Sequence, residues 1–143
     1  AGHGYVNAEV ARHIDEVLDY TSVVTAVNQI ELTPYNYRTR LETVEKCRGH
    51  GIVIEAYSPL TKGRKLDDPV LADIGGGHGK TPAQILIRWG IEQGFVVLPK
   101  SIRTARIEEN FDVFDFALTE IDMQRLEELD EGLVTGWDPA DVS

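Results

Sequence analysis

Thr81-Pro82-Ala83-Gln84-Ile85-Leu86-Ile87-Arg88-Trp89-Gly90-Ile91-Glu92-Gln93-Gly94-Phe95-Val96-Val97-Leu98-Pro99-Lys100-Ser101 holds one helix, one strand and the signals that separate them. Thr81 offers a capping hydroxyl, Pro82 occupies the first helical position where its missing N–H is harmless, and Gln84 stands where a capping box needs it. Ile85, Leu86, Trp89 and Ile91 carry an apolar helix face as far as Gly94. Phe95-Val96-Val97-Leu98 is then short, apolar and rich in residues that suit a pleated ladder, and Pro99 ends it.

The same alternation extends in both directions. Val27-Asn28-Gln29-Ile30-Glu31-Leu32 reads as a strand, and after a loop Thr39-x-x-Glu42 has the form of a capping box for a helix with Leu41, Val44 and Cys47 on one face. Gly49 and Gly51 bound that helix, Ile52-Val53-Ile54-Glu55-Ala56-Tyr57 is the next strand, and Ser58-Pro59-Leu60-Thr61-Lys62-Gly63-Arg64 is loop. Short helices are expected over residues 69–74 and 104–110. Thr119-x-x-Asp122 caps a last acidic helix that turns Met123, Leu126 and Leu129 inward. Towards the start, Asn7 caps a helix over about residues 8–18, and residues 1–6 form a clipped strand. Strand and helix in strict alternation predict parallel strands joined by right-handed crossovers. Open doubly wound sheets and closed barrels both satisfy that pattern, and both place ligands at the C-terminal strand ends.

A chain of 143 residues with 42% apolar and 27% charged residues fits a single globular domain, residues 1–143. Its 14 basic and 24 acidic side chains give a net charge of -10, a field that repels nucleic acid and anionic lipid surfaces. Adaptation to high salt and an ordinary cytosolic surface would both give this balance. Cys47 is the single cysteine, so neither a disulfide framework nor a cysteine-rich metal site is available, and a reducing, cytoplasmic setting is expected. No apolar run reaches the roughly 20 residues of a membrane helix.

Several motifs fail on context. Gly75-Gly76-Gly77-His78-Gly79-Lys80-Thr81 imitates a nucleotide-triphosphate loop, but the first glycine of that motif falls at Ile74 and the segment follows a helix, which leaves a glycine-rich helix end. His3, His13, His50 and His78 lack the spacing of paired metal ligands. No Gly-x-Ser-x-Gly elbow exists. By contrast, Leu98-Pro99-Lys100-Ser101-Ile102-Arg103-Thr104-Ala105-Arg106-Ile107-Glu108-Glu109-Asn110 brings three cations and two hydroxyls to the place where a strand ends and a helix begins. Amides at a helix start and forked guanidinium groups bind anions, and phosphate above all. The plainer reading of the same stretch is a solvated basic turn.

Four segments in order and spacing resemble the aldo-keto reductases: Asn28-Gln29-Ile30-Glu31-Leu32-x-Pro34, Glu55-Ala56-Tyr57-Ser58-Pro59-Leu60, Gly79-Lys80-Thr81-Pro82-Ala83-Gln84, and Pro99-Lys100-Ser101 with Arg106-Ile107-Glu108-Glu109-Asn110. The chain is most similar to short-loop microbial members of the diketogluconate reductase kind. The resemblance implies an α/β fold, half of a TIM-type (β/α)8 barrel, with residues 1–6, 27–32, 52–57 and 95–98 as strands five to eight. It further implies NADPH as cofactor and hydride transfer to a small aldehyde or ketone in the complete barrel. On that resemblance Tyr57 stacks on the nicotinamide ring, Gln29 bonds its carboxamide, Ser58 and Leu60 border the pyrophosphate, Lys100, Ser101, Arg103 and Arg106 hold the 2′-phosphate, and Glu109 and Asn110 reach the adenine.

The chain also departs from the family pattern. The family's catalytic Tyr, Lys, Asp and His belong to strands two to four, so no catalytic residue is carried over and the chain alone is expected to be inactive. Tyr35, Tyr37 and Tyr57 match none of those positions. Gly4 and Tyr5 stand where a Ser-Asn pair is usual, Thr33 where His is common, and Thr61 where Gly often stands. Thr135-Gly136-Trp137-Asp138-Pro139 resembles the segment that closes over the substrate pocket, with Trp137 as lining or as surface packing. A half barrel exposes two strand edges and one apolar face. Self-association or pairing with a first-half chain would cover them. A non-catalytic module that binds NADPH or a partner protein is the alternative.

Overall fold

Four parallel strands, β1 (Gly4–Val6), β2 (Thr25–Glu31), β3 (Val53–Tyr57) and β4 (Val96–Leu98), form one sheet in the order β1-β2-β3-β4 in the computed structural model, which describes residues 4–6 and 11–136. The expected cap at Asn7, the start of the first helix and the first strand residues lie outside the described part, as does Trp137. Between and after the strands run α1 (Ala11–Tyr20), α2 (Leu41–Gly49), α3 (Pro69–His78), α4 (Pro82–Glu92), α5 (Thr104–Phe111) and α6 (Glu120–Glu127). Strand order equals chain order, so every right-handed crossover advances in the same direction and sets its helix on the same face. Barrels are built this way, whereas a doubly wound sheet reverses its order at a switch point.

The strand boundaries have identifiable causes. β2 stops at Glu31 because Asn36 takes the next backbone groups: its Nδ2 donates to the Glu31 carbonyl at 3.1 Å and its Oδ1 accepts from the Thr33 amide at 2.9 Å. β3 starts at Val53 because the Ile52 amide still closes α2, donating to the Cys47 carbonyl at 2.9 Å. The expected capping box at Thr39 does not form. Asp130 draws Thr39 away, accepting from its amide at 3.0 Å and its hydroxyl at 2.9 Å, and α2 begins with no side-chain cap. The boxes Thr81/Gln84 and Thr119/Asp122 are both closed.

The core lies on the helix-covered face, where Ile30, Ile54 and Ala56 meet Val44, Cys47, Leu86 and Trp89. Trp89 packs edge-on to Tyr37 at 5.3 Å and to Phe95 at 6.0 Å between centroids. Gly90 brings α4 close to β4: a Cβ there would meet Val97 Cγ2 at 2.8 Å. The opposite sheet face carries Val53, Val96 and Leu98, which are 47%, 45% and 37% exposed, well above core values.

The three glycines read as a helix end lie within α3, which runs on to His78 and is closed by Gly79 at φ 66°. Only the first of the three is sterically required. A Cβ on Gly75 would stand 2.4 Å from the Lys80 carbonyl oxygen, which is backbone and cannot swing away, while Gly76 and Gly77 have nothing within 4 Å. Gly75→Ala is expected to destabilise the fold by about 2 kcal/mol through overpacking. Gly76→Ala is expected to stabilise it by about 0.5–1 kcal/mol, because alanine is the better helix former. Urea denaturation of the two variants measures both signs.

Candidate functional site

At the C-terminal end of the sheet, β3 delivers Tyr57 and β4 delivers Leu98 to the same level, since the two are register partners. The loops that follow diverge from there and enclose a cleft of about 690 Å³ lined by Tyr57, Ser58, Pro59, Leu60, Lys62, Leu98, Lys100, Ser101, Ile102 and Arg103. Three cations line it and no carboxylate does. Among the described residues none of the three has an ion-pair partner; Lys62 donates instead to the Thr135 carbonyl, and Lys100 and Arg103 have no carboxylate bonded to them. The cleft is thus a locally cationic spot on a chain of net charge -10.

The first of these loops is conformationally strained. Ser58, Thr61 and Lys62 have φ of 50°, 52° and 52°, a region that non-glycine residues avoid at about 1–3 kcal/mol each. Thr61 tolerates it because its buried hydroxyl donates to the Leu60 carbonyl at 2.7 Å and accepts from the Lys65 amide at 3.1 Å. Glycine would adopt this conformation without that cost.

Six of the ten residues named from the sequence meet in this cleft: Tyr57, Ser58, Leu60, Lys100, Ser101 and Arg103. Asn110 lines a smaller adjoining recess of about 270 Å³ with Pro99, Ser101, Ile107 and Phe111. Arg106 and Glu109 are engaged with each other, Nη1 donating to Oε2 at 2.6 Å, and Glu109 also accepts from the Thr81 hydroxyl at 2.7 Å. The Thr81 bond and then the Arg106 guanidinium hold the Glu109 carboxyl below its ordinary range, against the effect of burial. Gln29 lies deeper on the open sheet face, where its Nε2 donates to Glu55 Oε2 at 3.0 Å.

The sequence did not single out Lys62, and it marked the segment that holds it only from Thr135 onward, by resemblance. Residues 130–136 cross the loops after β2 and β3. The Tyr35 carbonyl accepts from the amides of Glu131 and Leu133, each at 3.0 Å, and Glu131 pairs with Lys65 at 2.6 Å. The Lys62 ammonium donates to the Thr135 carbonyl at 2.7 Å. Glu31, 1% exposed at the end of β2, accepts from the amides of Thr135 and Gly136 and from the Thr135 hydroxyl.

Other reactive groups are occupied. Tyr35 donates to Asp68 at 2.9 Å, and burial, then that carboxylate, push its phenol above the ordinary range. Tyr37 donates to Gln93 at 3.2 Å. Burial raises the Cys47 thiol, outweighing a hydrogen bond from Asn28, so the cysteine is a core residue and a poor nucleophile. Among the described residues no helix is long and apolar enough to cross a membrane, and no group of three His, Cys, Asp or Glu side chains is placed to hold a metal ion.

Comparison with known proteins adds an independent line. The model of the Aldo/keto reductase family matches residues 3–131. The chain is 42% identical over 127 residues to the uncharacterized oxidoreductase YtbE of Bacillus subtilis, covering 89% of this chain and 45% of that protein. It is 41% identical to the methylglyoxal reductase DkgA of Escherichia coli, with 95% and 49% covered. A solved structure of a Gox0644 variant in complex with NADPH superposes with a TM-score of 0.86 at 40% identity, over 96% of this chain and 50% of that one. The chain thus spans about half the length of the curated relatives it matches.

Proposed function

This chain belongs to the aldo/keto reductase family, and from that premise we propose that it forms strands five to eight of a TIM-type (β/α)8 barrel and grips NADPH for the reduction of an aldehyde or ketone. One observation carries the reading: the cleft at the C-terminal strand ends is lined by Lys100 and Arg103, which have no ion-pair partner among the described residues, and by no described carboxylate. Such a cleft fits a polyanion, and an extra phosphate is what separates NADPH from NADH. When bound there, NADPH supplies the hydride.

The chain's own residues bind and orient. Lys100, Ser101 and Arg103 meet the 2′-phosphate with charge-assisted hydrogen bonds. Tyr57 offers a flat ring at the mouth of the cleft for stacking, and Ser58 and Leu60 border the pyrophosphate. Arg106, held by Glu109, adds charge at the rim, and Asn110 provides an amide in the recess next door. Proton donation to the carbonyl oxygen is assigned to the barrel's other half. In this reading strands of that half pair with the outer edges of β1 and β4 and cover Val53, Val96 and Leu98.

Calorimetric titration of the chain with NADPH and with NADH tests the grip. NADPH is expected to bind at least about tenfold more tightly, which is the effect of roughly one charge-assisted contact. Equal affinity, or no binding of either, overturns the proposal.

A further inference from the structure

Glu55 is a carboxylate on the open face of the sheet, with no ion pair among the described residues. Its register partners are Gln29 on β2 and Val96 on β4, so Gln29 supplies its polar neighbour across the strands. Among the described residues Glu55 has no ion pair, and its Oε2 accepts from Gln29 Nε2 at 3.0 Å. A carboxylate has lone pairs and no proton to give, whereas a glutamine amide has two unlike ends. Glu55 therefore decides which end of Gln29 turns towards it. The NH2 group must, and Oε1 is left as an acceptor with no partner among the described residues.

We infer that Glu55 is a positioning residue that locks the Gln29 amide with its oxygen outward, so that the ligand group recognised beside Tyr57 is an N–H donor, the NH2 of a carboxamide. This rests on the proposed function, which puts a nicotinamide at that end of the sheet. It adds a polarity to the contact. A glutamine free to rotate would accept either a donor or an acceptor, and Glu55 removes that freedom before the ligand arrives, which is where preorganisation adds affinity and selectivity.

Three probes separate this inference from the reading it rests on: NADPH, its 3-acetylpyridine analogue, which has a methyl group in place of the amide NH2, and adenosine 2′,5′-bisphosphate, which has no nicotinamide. In calorimetric titrations the unaltered chain is expected to bind NADPH about tenfold more tightly than the analogue, the effect of one well-placed hydrogen bond. Glu55→Gln is expected to bring that preference to within about twofold, because two facing amides can pair in either orientation. Its affinity for the bisphosphate should not change. An unaltered chain without the preference, or a preference that survives Glu55→Gln, overturns the inference. Binding of the bisphosphate without the preference leaves the phosphate grip standing, whereas failure to bind either NADPH or the bisphosphate overturns the proposed function and this inference with it. Should Glu55→Gln fail to bind the bisphosphate, Gln29→Met, which removes the acceptor and keeps the length, is expected to erase the preference instead; a preference that persists there overturns the inference as well.

Discussion

Replacing Lys100 and Arg103 together with alanine is expected to weaken NADPH binding by about 100-fold and to change NADH binding by no more than about threefold. Each side chain offers a charge-assisted hydrogen bond of about 1.5–3 kcal/mol, and both are exposed, so the lower value applies to each. Two such contacts amount to about 3 kcal/mol, or roughly two decades in affinity. Among the described residues neither cation has a competing carboxylate, so neither must first break such a pair to meet a phosphate. Arg106 is different: its guanidinium is already bonded to Glu109 at 2.6 Å. Arg106→Ala should therefore weaken NADPH binding by only about threefold, as a screened charge at the rim does. Calorimetry on the three proteins at one salt concentration decides the matter. A double variant that loses affinity for both cofactors alike would show that the two residues do not read the 2′-phosphate, and an Arg106→Ala loss as large as the double variant's would move the grip onto α5.

The ranking of these cations shows where sequence reading stops. Lys100 and Arg103 are legible as site residues because they follow a strand end directly, and a parallel sheet puts all its C-terminal ends on one side. Tyr57, Ser58 and Leu60 were named through the resemblance to the family, and their place at the end of β3 agrees with it. Arg106 sits in the same cationic stretch, yet its helical spacing to Glu109 brings the two into contact, and a string of residues does not show that one carboxylate will claim it. The capping box at Thr81 was readable because its partners lie three residues apart. The equally well-formed signal at Thr39 fails because Asp130, 91 residues further on, reaches the same groups. Lys62 illustrates a third kind of miss. Its left-handed backbone and the Thr135 carbonyl together fix where its side chain goes, and neither is encoded near it in the chain.

Glu31→Ala is expected to release the end of the strap formed by residues 130–136, and the effect should be local before it is global. Glu31 is buried, and removing a carboxylate from water costs several kcal/mol, so its presence needs strong compensation. Thr135 and Gly136 supply that compensation. The Thr135 amide donates at 3.0 Å to Oε1, the Gly136 amide at 3.1 Å to Oε2, and the Thr135 hydroxyl donates as well. Alanine removes the charge and its desolvation penalty together, but it strands three donors with no acceptor, each worth about 1–3 kcal/mol when left unmade. Water can reach the half-exposed Gly136 and relieve part of this. A net loss of about 3 kcal/mol follows, large enough to undock residues 135 and 136. Upstream, Asp130 on Thr39, the Tyr35 carbonyl and the Lys65 pair hold the strap independently, so the global unfolding midpoint should move much less than 3 kcal/mol implies. Amide hydrogen exchange reads the difference: protection at Gly136 is expected to fall by about 100-fold, with the amides of Glu131 and Leu133 nearly unchanged. Unchanged protection at Gly136 would mean that the Lys62 bond to the Thr135 carbonyl suffices to hold the strap. Loss of protection along its whole length would mean that Glu31 is the single anchor on which the other contacts depend.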